Sequence, residues 1–121
     1  MFELIEKKSK FYGYAYVVKS AKEVEDIISA LKKEHKKATH ICYAYNISAE
    51  QILAKAVDDG EPCGTAGKPI FNVIDKKGLK NVLIAVVRYF GGVKLGAGGL
   101  VRAYTKCASM AIEEVLWLLQ K

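Results

Sequence analysis

The sequence predicts a single α+β domain, a two-layer sandwich with elements in the order ββαβαβα, and three observations carry that reading. β-branched and aromatic residues alternate through residues 2–7, 10–18 and 39–46, the pattern of strands with two different faces. Val24, Ile27, Ile28 and Leu31 recur at helical spacing, and a longer stripe of the same kind runs through the last quarter of the chain. Asn81 to Tyr89 is a near-continuous apolar run, which belongs in the interior of a sheet. The 121 residues suffice for one core, and no repeat, low-complexity tract or linker divides them, so residues 1–121 read as one domain.

Taken in order, residues 2–7 and 10–18 form a hairpin around Lys8–Ser9. Ser20 and Glu23 have the spacing of a capping box and open the first helix. THICYAYN, residues 39–46, is the third strand. Pro69 suits the first turn of a second helix, in which Ile70, Val73 and Ile74 share a face and which Gly78 ends. The strand 81–89 then leads through a glycine loop into a helix over about residues 98–119, whose buried stripe is Leu100, Tyr104, Cys107, Ala108, Ala111, Val115 and Leu118. Tyr12, Tyr14 and Tyr16, with Tyr43 and Tyr45, point away from the smaller aliphatic residues of their strands. With the helices on the aliphatic side, the tyrosines would form an aromatic patch on an open face; the plainer reading is that tyrosine favours strands and half-buries its ring with the hydroxyl in water.

Composition excludes several classes. No apolar run is long enough to span a bilayer, and MFELIEKKSK lacks a basic-then-apolar leader, so a cytoplasmic protein without a membrane partner is expected. Cys42, Cys63 and Cys107 are odd in number and contain no CxxC, which argues against a disulfide framework and a zinc site. The net charge of +6 comes from 19 basic and 13 acidic residues, concentrated in KKSK, KKEHKK and KKGLK. It permits weak, salt-sensitive attraction to RNA or DNA, although each run alone reads as a solvated surface.

Two glycine clusters carry the chemical interest: DDGEPCGTAGKP (58–69) and RYFGGVKLGAGGLVR (88–102). The first is not a phosphate loop of the GxxxxGK[ST] type, because Pro62 stands where the leading glycine belongs and Pro69 where the hydroxyl belongs. The second is not a dinucleotide fingerprint: Gly96 and Gly98 begin one, but Val101 replaces the third glycine. The strand-to-helix turn could hold an anion beside Arg88, Lys94 and Arg102, or its glycines could serve backbone geometry alone. Asp58, Asp59 and Glu61 could ligate a hard cation but more commonly cap their own turn, so no metal is assigned. Cys63 would need His35 or His40 as a base, and no catalytic residue is assigned.

In order and spacing, KSKF (8–11), HICYAY (40–45), DDGEPCGTAGKP (58–69) and VVRYFGGVKLGAGGLVRAY (86–104) resemble the N-terminal domain of the Impact/YigZ family, over nearly the whole chain. The resemblance implies the fold shared by the second domain of a small-subunit ribosomal protein and domain four of elongation factor G. It implies a regulatory role in translation: eukaryotic relatives bind an activator of a translation-initiation-factor kinase, and bacterial relatives have been proposed to bind nucleic acid. Carried over residue by residue, its binding surface would comprise Asp58, Asp59, Gly60, Glu61, Gly64, Thr65, Gly67 and Lys68 from the first loop. The second would add Arg88, Tyr89, Gly91, Gly92, Lys94, Gly96, Gly99 and Arg102.

The chain departs from the family pattern at Val57, where a serine is usual, and at Cys63, where serine or alanine is common. It also ends where relatives continue into a second domain. The expectation is therefore a non-enzymatic regulatory module without a cofactor, binding a protein partner of the translation machinery, RNA, or both through these loops. The alternative is an enzyme or carrier for a phosphorylated or nucleotide small molecule. The two loops are expected to meet at one end of the sheet. The all-round apolar tail Val115–Leu119 is expected to face an apolar surface, such as a second copy of the chain or a further domain.

Overall fold

The computed structural model describes residues 1–120. Strands β1 (Phe2–Glu6), β2 (Ser9–Val17), β3 (His40–Ser48), β4 (Ile52–Val57) and β5 (Val82–Tyr89) form one sheet, joined by helices α1 (Ala21–Glu34), α2 (Gly67–Lys76) and α3 (Gly96–Leu119). The sheet order is β1-β2-β5-β3-β4, with every neighbouring pair antiparallel. The apolar run is the central strand: β5 lies between β2 and β3, and Val82 to Arg88 are all buried. This is the expected α+β class.

The element order differs from ββαβαβα by one strand. β4, with the sequence ILAKAV, pairs only with β3, and only Val57 of its six residues escapes full exposure. An exposed edge strand buries neither face, so it leaves no alternating pattern to read. The hairpin also turns one residue earlier than the sequence suggested. Glu6 pairs with Ser9, leaving Lys7 (φ 45°) and Lys8 (φ 70°) as a two-residue loop in left-handed conformation. Such a turn favours Asn-Gly, and a lysine there costs roughly 1–2 kcal/mol per residue.

The core lies on both sides of the sheet. Phe11, Cys42, Ala44, Ile84 and Val86 meet α2 and α3 through Ile70, Ile74, Leu100, Tyr104, Cys107 and Ile112. On the other face Leu83, Ala85 and Ile47 meet Val24, Ile28 and Leu31 of α1. The tyrosine face is therefore covered by α1 rather than an open patch, and Tyr14, Tyr16, Tyr43 and Tyr45 half-bury their rings against the α1 cluster. The physical reason is the amphipathic stripe of α1, which needs an apolar surface and finds one in the ring faces. Its N-terminus is capped as the sequence indicated, with Ser20 Oγ accepting from Glu23 N at 3.2 Å. Trp117, Leu118 and Leu119 at the end of α3 are 58%, 62% and 67% exposed. No helix among the described residues is long and apolar enough to cross a membrane.

Candidate functional site

At the end of β5 the strand alternation divides three consecutive residues. Arg88 points to the α2–α3 face, where it is buried with Phe11 and Tyr104, and Phe90 follows the strand as an exposed ring. Tyr89 points to the other face, where its hydroxyl lies 2.6 Å from His35 Nδ1, while Tyr14 Oη lies 2.8 Å from His35 Nε2. Tyr89 thus stands apart from the glycine loops to which its neighbours belong.

Arg88 organises what lies beneath. Its guanidinium stands 5.5 Å from the Phe11 ring and 5.4 Å from the Phe90 ring. Nη1 donates to both Glu61 oxygens, at 3.0 Å and 2.7 Å, and Nη2 donates to Ser9 Oγ at 3.3 Å. Glu61 receives two more partners: the Tyr104 hydroxyl donates to Oε2 at 2.5 Å, and His40 Nε2 is 3.3 Å from Oε1. Such a buried pair is held by its geometry rather than by Coulomb energy alone, and removing one partner strands the other charge. The pair ties the first glycine loop to the central strand. Ser9 Oγ also accepts from Gly91 N at 3.3 Å, so the same cluster anchors the second loop.

The first loop satisfies itself. Asp58 accepts from the backbone N–H groups of Gly64 (3.0 Å), Ala66 (3.2 Å) and Gly67 (2.8 Å). Burial works to raise its carboxyl pKa, but those three donors outweigh it and hold the group below its ordinary value. Asp59 Oδ2 accepts from Ile41 N at 2.7 Å, and the Asp59 carbonyl lies 2.8 Å from His40 Nδ1. The Thr65 hydroxyl donates to the Pro62 carbonyl at 2.5 Å. Gly67 allows α2 to begin against β4, since a Cβ there would come within 2.6 Å of Val57 N. The acidic residues are thus committed to protein donors, which leaves no convergent oxygen shell.

Two of the three cysteines, Cys42 and Cys107, are buried. Burial pushes the Cys42 thiol well above its usual range, and the thiol donates to the Asp58 carbonyl at 3.0 Å. Burial, with the neighbouring Cys42 and Glu61, raises the Tyr104 phenol far above its ordinary value, which keeps it a neutral donor to Glu61. Cys63 is exposed on the loop.

Between the two loops lies a pocket of about 410 Å³. His40, Glu61 and Arg88 line it together with Pro62, Phe90, Lys94 and the start of α3 at Gly96. The loops therefore meet at one end of the sheet, as the sequence suggested, but not all the residues assigned to them converge. Lys68 is exposed on α2 outside this pocket, and Gly92 is exposed beside it. Gly99 and Arg102 line a different pocket, under the β1–β2 turn. Ser9, Thr39, His40 and Tyr104 belong to the cluster without having been singled out for it: Thr39 Oγ1 accepts from Phe90 N at 2.9 Å. Tyr104 carried a signal that could have been used, because a tyrosine on the buried stripe of a helix must find its hydroxyl a partner.

The Impact N-terminal domain family matches residues 7–112. The chain belongs to this family. Among its relatives, the IMPACT family member YvyE of Bacillus subtilis (strain 168) is 45% identical over 113 residues, which are 93% of this chain and 52% of that protein. A solved structure described as that of an hypothetical protein superposes with a TM-score of 0.84 at 32% identity, covering 93% of this chain and 55% of that one. The two-domain translational regulator Yih1 shares the fold, with a TM-score of 0.60 at 23% identity over 90% of this chain and 45% of that one. This Impact domain thus spans about half the length of the bacterial relatives it matches.

Proposed function

We propose that this Impact domain is a regulatory, translation-associated binding module that takes a protein partner at the pocket between its two glycine loops. The observation that carries the reading is the buried Glu61–Arg88 tie, which holds the two loops together so that the pocket between them has a fixed floor. Its walls are Pro62, Phe90, Leu95 and Leu100, with Lys94 at the rim. Mostly apolar walls with a few placed polar groups suit the anchoring side chain of another protein, and a cationic rim suits an acidic neighbour beside that anchor. The inward commitment of Asp58, Asp59 and Glu61 favours binding over chemistry, since no carboxylate is left to act as a base. The role of Yih1 as a translational regulator, in a protein of the same fold, supports the association with translation.

The test is quantitative capture of partners from the native cell by the wild-type domain and by Lys94→Glu, each with and without ribonuclease. Lys94→Glu should lower capture by about tenfold with an unchanged melting temperature, because the side chain is exposed and forms no ion pair among the described residues. Capture abolished by ribonuclease would assign the partner to RNA. Capture indifferent to the substitution would remove the pocket from the function.

A further inference from the structure

A second pocket, of about 250 Å³, lies between the β1–β2 turn and the first three turns of α3, and its lining includes Glu6, Lys7, Leu95, Gly99, Arg102 and Lys106. Three of these side chains are cations, and none of the three forms an ion pair among the described residues. Glu6 lines the same pocket and pairs with none of them. Three cations gathered around one concavity repel one another, and they leave a positive potential that the single carboxylate does not cancel.

Two further features sharpen the charge imbalance. Arg102 folds back along its helix, so that Nη1 stands 3.4 Å from where a Cβ on Gly98 would be. Its guanidinium thus sits over the first turn of α3, the end of a helix dipole that disfavours a cation. That turn contains no acidic residue and its cap makes no side-chain hydrogen bond, so nothing on the helix itself offsets the arrangement. The pocket's other wall is equally costly, because Lys7 is held there by a left-handed turn that a lysine adopts at a penalty. The turn is also packed from the second glycine loop: a Cβ on Gly91 would lie 2.1 Å from the Lys8 carbonyl.

We infer that this pocket is a binding site for the phosphate group of a small molecule, held by Lys7, Arg102 and Lys106. An oxyanion there would neutralise three unpaired cations at once, and a phosphate has the oxygens to bridge a guanidinium and two ammonium groups. The enclosed volume fits a phosphate with a small body attached. The site is separate from the partner pocket and does not rest on the partner-binding reading, although Leu95 contributes to both walls.

The experiment is an amide-resolved NMR titration at low, constant ionic strength with pyrophosphate, with inorganic phosphate, with chloride as control, and with a short single-stranded oligonucleotide. Pyrophosphate should bind saturably, moving the amide signals of Lys7 and of Gly96 to Gly99. The double variant Arg102→Ala with Lys106→Ala should weaken it by at least about tenfold, since charge-assisted contacts are lost. Lys32→Ala with Lys33→Ala, on the distant α1, should leave the affinity unchanged. All four side chains are exposed, so each variant is expected to fold, and its spectrum reports whether it does. Non-saturable shifts spread over every lysine-rich segment would overturn the proposal as general charge attraction. Binding of the oligonucleotide with no response to pyrophosphate would overturn it in favour of a chain-binding surface.

Discussion

Between Asp58 and Gly67 the three carboxylates are used up on protein donors, whereas from Phe90 to Gly98 the chain leaves Phe90, Val93, Lys94 and most of its backbone at the surface. Both stretches are glycine-rich and both precede a helix, but the similarity of composition conceals a division of labour. The first loop is a folded object in its own right, built around Asp58 and locked to β5 by Glu61. The second is held at its base, by Ser9 on Gly91 and Thr39 on Phe90, and at its far end by Leu95 packed against the core. The difference teaches that acidic residues in a turn need not advertise a ligand. Here they tie one loop to the fold, and it is the other loop that leaves Lys94 and much of its surface exposed.

The comparison would be broken most severely at its shared anchor. Arg88→Met leaves Glu61 buried with only Tyr104 and His40 beside it, and should cost about 3–5 kcal/mol of stability in urea unfolding. Adding Glu61→Gln to that variant should recover part of the loss, because the stranded charge is then gone. If Arg88→Met costs no more than an ordinary surface change, the tie does not hold the loops.

A smaller effect separates the glycines by what each does. A Cβ on Gly91 would overlap the Lys8 backbone, so Gly91→Ala must move the hairpin turn and should cost about 3 kcal/mol. Gly64 has φ +79° and nothing within 4 Å of a would-be Cβ, so Gly64→Ala should cost only about 1 kcal/mol, the strain of a left-handed alanine. Paired thermal melts decide the matter. Equal losses would mean that the contact of Gly91 on Lys8 yields at little cost, contrary to its close packing there.

Much of this organisation was legible because it rests on short-range physics. The apolar run of β5, the Ser20 cap, the stripe of α1 and that of α3 as far as Ala111 each follow from local pattern and stand where the sequence put them, whereas Leu118, placed on the same α3 stripe, is exposed. What escaped depends on contacts distant in sequence. β4 buries almost nothing, so its only signature is its pairing with β3. Ser9 is 79 residues from Arg88 and Tyr104 is 43 from Glu61, and no periodicity announces such meetings. Lys94 and Arg102 look like one basic cluster along the chain. The course of the backbone into α3 sends them to opposite sides of Leu95.

The gentlest probe of the contrast is pH, because only the first loop contains a carboxylate whose ionisation its backbone holds. Gly64, Ala66 and Gly67 all donate to Asp58, and the folded state binds its proton less readily than the unfolded chain does. A depressed folded-state pKa stabilises the protein above the unfolded value, near 3.8, and that contribution is lost as pH falls through the lower folded value. Asp58→Asn removes the titration while keeping an acceptor. The stability difference between wild type and Asp58→Asn should therefore be constant at neutral pH and shrink as pH falls below about 4. The size is modest because the carboxylate is half-exposed and water screens it. Urea midpoints for both proteins, measured across this range, test the sign. A difference that grows on acidification would mean that the folded loop binds the proton more tightly, and the backbone donors would then not be what organises it.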